Sequence, residues 1–574
     1  MRTNSSKRQP NTGHPPDVRH QQDTKALIVQ SDRTLLLDVH CETAEAARQA
    51  IMPFAELEKS PEHIHTYRIT PLSLWNAASA GLSPEDVTKT LHKFSRYEIP
   101  SGITEGFSLL MSRYGKIRMM EDEDPNRLNL QIDDKAICLE IEERPALQKY
   151  LAGNDGGFSL SLTDRGTVKR ELIRIGWPVQ DLAPLLKGED LDIRLRENCL
   201  SGSPFKIRDY QKTAAQSVVG SGSPGSGYGV VVLPCGSGKT IAGMLIMSML
   251  KTNTLILTTN VAAVHQWIEE LLDKTELTRE QIGEYSGDCK NVAPVTVATY
   301  QIIAWRPDKK SGFPHFKLFR ERQWGLVIYD EVHLLPAPVF RVTAELQAIR
   351  RLGLTATLIR EDGEEDAVFS LVGPKRYDVP WKDLENKGWI AEALCTEIRL
   401  DLPENLKIKY ASAPQREKYR IASENPLKEN IVLQLIENHP KDQILVIGQY
   451  LSQLNSLVKL LKVPIITGKT PNIEREKIYG SFKRGEVRVI IVSRVANFAI
   501  DLPDASMAIQ VSGTFGSRQE EAQRLGRILR PKGHNALFFS LVSHYTVEEN
   551  FAANRQKFLT EQGYKYSIQR WTNK

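Results

Sequence analysis

Cysteine is scarce in this chain. Six are present (Cys41, Cys138, Cys199, Cys235, Cys289 and Cys395), and no two form a Cys-x-x-Cys pair. That excludes a zinc ribbon and a disulfide framework and fits a reducing compartment. An excess of charge of one sign is also missing: 75 Lys and Arg face 70 Asp and Glu, a net +5. The chain is therefore no polybasic or polyacidic tail, and any nucleic-acid surface must come from local clustering. No apolar run approaches the roughly 20 residues that span a bilayer. The opening stretch MRTNSSKRQPNTGHPPDVRH has no apolar centre, which excludes a secretory signal, and a disordered tail is expected over residues 1–22. No repeat of solenoid period is present.

What remains is an ordinary globular balance, 41% hydrophobic and 25% charged over 574 residues, enough for roughly three to four domains. Residues 23–134 read as two strands around a Ser31-Asp32-Arg33 turn, then helices, then the strands KIRMM and RLNLQI. Thr70-Pro71 and Ser83-Pro84 each place a cap before a proline at the first helical position. A winged-helix-like unit and a plain α/β scaffold both fit this pattern. Residues 135–198 alternate strand and helix, with AICLEI as the first strand, and suggest a small separate α/β domain. CLSGSPF reads as a linker. Over 205–388, and again over 389–574, short β-rich apolar runs alternate with helical segments. That texture predicts two stacked α/β domains, each with a buried parallel sheet and ligands at the carboxyl ends of its strands.

The chemistry sits at those ends. GVVVLPCGSGKT places a loop between an apolar strand and a helix. The loop Pro234, Cys235, Gly236, Ser237 and Gly238 would bind the ATP phosphates, with Gly236 and Gly238 letting backbone N–H groups turn inward to cradle them, Lys239 would neutralise them, and Thr240 would ligate Mg²⁺. The first glycine of the full phosphate-loop pattern is replaced by Leu233. WGLVIYDEVH ends a second apolar strand in two carboxylates. Asp330 would hold Mg²⁺ and Glu331 would deprotonate the attacking water, with His333 as a relay. Upstream, Arg208 and Gln211 of RDYQ lie at the distance from the loop where an amide can read an adenine edge. Near the end, Gln523, Arg524, Arg527 and Arg530 recur at helical spacing, and Arg527 and Arg530 are candidate arginine fingers. A nucleotide triphosphatase using ATP and Mg²⁺ follows.

These motifs in this order resemble superfamily 2 helicases. LPCGSGKT, YDEVHLLPAPVFR, LGLTATLIRED, GPKRYDVPWKDLE, VSRVANFAIDLP and SGTFGSRQEEAQRLGRILRPK resemble the XPB branch, closest to its bacterial members, over nearly the whole chain. The resemblance implies an ATP-dependent 3′-to-5′ DNA helicase or translocase linked to nucleotide excision repair. It implies two RecA-like domains after an N-terminal domain and a damage-recognition-like domain. It also implies that Asp501 contacts the ribose, and that Thr258, Thr259, Asn260, Gln266, Trp267, Thr299, Tyr300 and Gln301 line the DNA strand track. Thr355 and Thr357 of LTAT would couple hydrolysis to movement. Arg360-Glu361-Asp362 would stand where the family carries a charged triplet implicated in melting. Partners would be DNA, single-stranded, forked or damaged, and a repair nuclease. The protein would act as a monomer away from membranes, in the bacterial cytoplasm and nucleoid or in a eukaryotic nucleus. The basic thumb of archaeal members is shortened here to a segment with Lys407, Lys409, Arg416, Lys418 and Arg420. That keeps a second reading open, a duplex translocase or damage-binding clamp with little unwinding. An RNA helicase and a P-loop enzyme on small molecules are the remaining alternatives.

Overall fold

The structure, a computed structural model, describes residues 25–59, 63–124, 126–154, 156–220, 226–234, 236–287, 289–308, 311–335, 339, 349–356, 365–379, 384, 387, 389, 393–493, 505–513, 536–561 and 565–571. It divides into two compact units, Met1–Met111 and Ser112–Lys574. The predicted tail over 1–22 lies outside the described residues.

In the first unit four strands run antiparallel in the order Leu27–Val29, Thr34–Asp38, Ile64–Arg68, Glu56–Lys59. Leu35 and Leu37, two apart, bury one face of the sheet, as strand periodicity requires. Helices Ala44–Ile51, Pro71–Ser79, Pro84–Phe94 and Ser101–Met111 supply Ile51, Leu74, Leu91 and Phe107 to the same core. Thr70 and Ser83 each close a capping box, with proline in the first helical turn.

The second unit opens with a five-stranded sheet in the order Leu151–Asn154, Gly157–Ser161, Arg127–Ile132, Ile117–Glu121, Val179–Asp181. Two expectations fail here. The boundary placed at 134/135 cuts through this sheet. The hairpin 117–132 offers both edges to this sheet: Leu130 pairs with Phe158 on one side, Arg118 with Gln180 on the other. AICLEI is no strand but part of the helix Lys135–Glu142. Ile137 and Ile141, four apart, are buried, Leu139 between them is 61% exposed, and Asp134 caps the start through the N–H of Ala136 at 2.9 Å. The period is helical.

Two seven-stranded parallel sheets follow, the tandem RecA-like pair. The first runs Ile282–Tyr285, Val295–Thr299, Thr254–Thr258, Leu326–Asp330, Arg350–Thr355, Tyr228–Val232, Lys375–Asp378. The second runs Ile465–Ile466, Val489–Ser493, Ile444–Gly448, Met507–Gln510, Ala536–Ser543, Ala393–Leu400, Lys565–Arg570. Central strands such as VVV (230–232), LIL (255–257) and VII (489–491) are buried on both faces, which is why they read as continuous apolar runs. The segment expected to be a shortened thumb forms two nine-residue helices, Glu404–Ser412 and Gln415–Ser423.

A charged cluster joins the five-stranded module to the first RecA-like sheet from inside the second unit. Asp181, at the end of its strand, accepts from Arg165 Nε at 3.0 Å and Nη2 at 2.6 Å and from Lys169 Nζ at 2.8 Å. The Tyr228 hydroxyl, from the first RecA-like sheet, donates to the Asp181 carbonyl at 2.8 Å. The ring of Tyr228 lies under Lys169 and Arg351, 5.6 and 5.0 Å from its centroid. Among the described residues no helix is long and apolar enough to cross a membrane.

Candidate active site

The carboxyl ends of strands Tyr228–Val232, Leu326–Asp330 and Arg350–Thr355 bring the phosphate loop, the acid pair and Thr355 to one edge of the sheet. The described glycines of the phosphate loop carry its turn. Gly236 and Gly238 have φ of +77° and +82°, and a Cβ on Gly238 would lie 2.6 Å from Gln211 Nε2, so only glycine fits there. Helix Lys239–Leu250 begins directly after Gly238 with no acidic residue in its first turn. Its first N–H groups have no intrahelical acceptor and its dipole is left positive at the loop, which suits phosphate.

Two residues shape this loop from below. The Tyr210 hydroxyl and Gln211 Nε2, the latter at 3.0 Å, both donate to the Ser237 carbonyl. Gln211 Oε1 accepts from the Arg208 N–H at 2.9 Å, so its amide is engaged at both ends and buried. The base-reading role expected of Gln211 therefore competes with a structural one. Arg208 Nη1 donates to the Trp389 carbonyl at 3.2 Å, and Tyr210 packs on the Trp389 ring at 4.9 Å between centroids. The loop-shaping hydroxyl of Tyr210 and the position of Trp389 were not legible; an aromatic beside a Gln is the only signal either leaves.

The acid pair is tightly braced. Lys239 Nζ donates to Glu331 Oε1 at 2.8 Å. Asp330 Oδ2 accepts from the Trp267 indole at 2.9 Å and Oδ1 from the Glu331 N–H at 3.1 Å, while the Tyr300 hydroxyl donates to the Asp330 carbonyl at 2.9 Å. Glu331 takes φ +51°, a strained left-handed conformation for a side-chain-bearing residue, and such strain gathers at functional sites. His333 Nδ1 lies 2.6 Å from Thr355 Oγ1 and 3.6 Å from Glu331 Oε2, so the expected relay residue touches both the acid pair and the LTAT strand. Burial pushes the Asp330 carboxyl up, and the Glu331 charge pushes the same way, against Lys239 and the Trp267 hydrogen bond. Burial also pushes Glu331 up, but the Lys239 ammonium, His333 and the hydrogen bond from Lys239 outweigh it and hold that carboxyl below its usual range.

The donor set fits a hard divalent cation with phosphate oxygens. Thr240 and Asp330 offer oxygen ligands, and among the described residues no three His, Cys, Asp or Glu side chains gather as a metal site. A cation here would need ligands from phosphate and water as well.

The expected strand-track residues divide. Gln266 and Gln301 are exposed and Thr259 and Asn260 half-buried, and Gln301 Nε2 donates to the Thr259 carbonyl. Asn260 also caps helix Val261–Lys274 through the N–H of Ala263 at 2.9 Å. Thr258, Trp267, Thr299 and Tyr300 are buried, at 0%, 2%, 3% and 2% exposure, and cannot line a strand. Trp267 and Tyr300 brace Asp330, Thr299 caps the next helical turn through Ile302 N, and Thr258 bonds to the Ala298 carbonyl. Cys235, Thr357, Arg360, Glu361, Asp362, Asp501, Gln523, Arg524, Arg527 and Arg530 lie outside the described residues.

Comparison with known proteins meets this geometry. The family described as ERCC3/RAD25/XPB C-terminal helicase matches residues 384–573, that described as type III restriction enzyme, res subunit, matches 204–360, and that described as helicase conserved C-terminal domain matches 27–154. The DNA 3′-5′ helicase XPB of Mycobacterium tuberculosis is 50% identical over 94% of this chain and 97% of its own length. The chain belongs to the XPB family. Another XPB helicase, from Kineococcus radiotolerans, is 49% identical over 94% of this chain and 96% of its own. The general transcription and DNA repair factor IIH helicase/translocase subunit XPB of Enterocytozoon bieneusi is 32% identical over 94% and 92%.

Proposed function

We propose that the protein is an ATP-dependent DNA helicase or translocase of 3′-to-5′ polarity that acts in DNA repair of the nucleotide-excision type. The carrying observation is the Lys239–Glu331 contact at 2.8 Å beside an Asp330 fixed by Trp267 and Tyr300, in a chain 50% identical to an XPB helicase. Bound Mg²⁺, held through Thr240 and Asp330, would supply charge neutralisation at the phosphates. The remaining work falls to the chain itself. Lys239 pairs either with Glu331 or with phosphate. When it turns to phosphate, Glu331 loses the cation that holds its pKa down, and its basicity rises as the attacking water needs it. His333 carries the change at Glu331 to Thr355 across 2.6 Å.

On the family pattern, Arg527 and Arg530 act as fingers with Gln523 beside them, Asp501 meets the ribose, and Arg208 and Gln211 flank the base. Thr357, Arg360, Glu361 and Asp362 follow Thr355 toward DNA, and Asn260, Gln266 and Gln301 face the strand. A repair nuclease as partner, action as a monomer, and a cytoplasmic or nucleoid location complete the reading.

The test is ATP hydrolysis with and without DNA, together with strand displacement on 3′-tailed and 5′-tailed duplexes. The reading requires DNA-stimulated hydrolysis, release from the 3′-tailed substrate, and loss of both in Lys239→Ala. Hydrolysis indifferent to DNA would overturn it. The two nine-residue helices where a thumb would stand favour the translocase or clamp reading as the second one. Displacement of a triplex strand without release from a fork would select it.

A further inference from the structure

Beyond the short helix Tyr300–Ile303 the chain presents Trp305 to solvent, 51% exposed. A large aromatic side chain is seldom left so open in a soluble protein. It does not stand alone. The His315 ring lies 5.8 Å from it, Tyr285 bonds to His315 Nδ1 at 2.9 Å, and Phe313 and Phe316 stack at 4.8 Å. Cations are interleaved with these rings: Arg306 lies over Phe313 at 5.2 Å and Lys290 over Tyr285 at 5.5 Å. Burial, helped by the Lys290 and Lys317 ammonium groups, holds the His315 imidazole below its usual pKa. Aromatic faces among cations are what an unpaired nucleic-acid strand takes up, bases on the rings and phosphates on the cations. The patch also continues the carboxyl edge of the sheet from Gln301, four residues away and exposed.

We infer that Trp305 is a base-stacking residue for single-stranded DNA, set in a platform completed by His315, Arg306 and Lys290. This rests on the DNA-translocating reading above and adds to it a contact with the base rather than the backbone. Stacking of this kind is indifferent to base identity, since every base has a π-face, and it holds the strand between steps without reading sequence. Arg306 and Lys290 add a salt-sensitive hold on the flanking phosphates.

The experiment measures binding of a fluorescein-labelled oligo(dT) strand to the full chain by anisotropy, for the wild type, Trp305→Ala and Trp305→Phe. A second series replaces one thymine at a time with an abasic spacer. Trp305→Ala should weaken binding about fivefold or more, and Trp305→Phe should retain most of it. In the wild type one spacer position should cost several-fold in affinity, and in Trp305→Ala that position should cost nothing. A purely structural role for Trp305 cannot produce that position-specific loss. ATP hydrolysis without DNA should stay unchanged, since among the described residues Trp305 makes no hydrogen bond or ring contact with the phosphate loop or the acid pair. Equal affinity of Trp305→Ala and wild type, or a spacer penalty that survives in Trp305→Ala, overturns the inference. So does a wild type that binds no single strand, which would mark the patch as a protein-docking surface. If the wild type binds DNA with the expected Trp305 dependence but hydrolyses ATP independently of it, the helicase reading fails and the stacking contact stands.

Discussion

Replacing Asp181 with Asn tests what holds the five-stranded module against the first RecA-like sheet. Asp181 is 1% exposed and takes three hydrogen bonds from two cations, Arg165 and Lys169, themselves 0% and 4% exposed. Asn keeps the shape and removes the charge. Lys169 has an escape. Burial, chiefly, lowers its pKa to about 8 even with the Asp181 charge beside it, and removing that charge lowers it further, so in the variant Lys169 sheds its proton at little cost. Arg165 has none, because a guanidinium does not deprotonate in a protein. It stays charged and buried, with the carbonyls of Ala183 and Pro184 as its remaining acceptors. Breaking such a pair costs about 3–5 kcal/mol. At about 2–4 °C per kcal/mol for a large domain, the melting temperature should fall by roughly 6–20 °C. The assay is thermal and urea unfolding of the full chain, wild type against Asp181→Asn, with Asp181→Asn/Lys169→Met expected to lose less than Asp181→Asn alone. The pH dependence supplies a second arm. Burial pushes the Asp181 carboxyl up, but Lys169 and Arg165 outweigh it and hold the carboxyl below its usual range. As pH falls below about 4 the unfolded chain takes up this proton first, so the contribution is complete above that pH and drains away below it. The gap between wild type and Asp181→Asn should therefore close in acid. A neutral-pH difference below about 1 kcal/mol, or a gap constant from pH 7 to pH 3, would refute the account.

Glu331→Gln should keep ATP binding and lower hydrolysis by about 10²–10⁴-fold, read as bound nucleotide that fails to turn over. Trp267→Phe removes the indole bond to Asp330 and should raise the Mg²⁺ needed for half-maximal hydrolysis by about tenfold, with affinity for DNA unchanged. A loss of DNA affinity instead would return Trp267 to the strand. Thr355→Val deletes the contact with His333 Nδ1 and should cut DNA stimulation of hydrolysis more than the DNA-independent rate, measured side by side. Equal losses in both would leave Thr355 a packing residue.

The sheets were legible because a parallel strand buried on both faces has nowhere to hide: VVV, LIL and VIYD announce themselves, and the carboxylates at 330 and 331 stand out against them. The helix caps were legible for a similar local reason, since Thr70-Pro71 and Ser83-Pro84 each satisfy their own N–H groups within four residues. What failed was whatever depends on which way a residue turns after a strand ends. Trp267 and Gln266 are neighbours on one helix; one is buried under the acid pair and the other is in solvent, and a motif that spans both assigns them one role. Tyr300 and Gln301 divide in the same way. The module boundary failed for a related reason. A hairpin carries its own internal pairing, Met119 with Leu130, but nothing in it states which sheet will take its outer edges. Arg165 and Lys169, four apart on a helix, have the spacing of a solvated face. Only the return of the chain at Asp181 turns them inward, and that partner lies sixteen residues from Arg165 on a different element. Local chemistry in this chain is thus readable from local sequence, while the supports beneath it are set by partners the strand pattern does not name. The acid pair shows both at once: Asp330 and Glu331 are plain in the motif, whereas the Trp267 and Tyr300 bonds that aim Asp330 come from residues whose motif assigned them to DNA. A substitution at either should therefore disturb ATP chemistry before it disturbs the strand, the reverse of the order the motif implies.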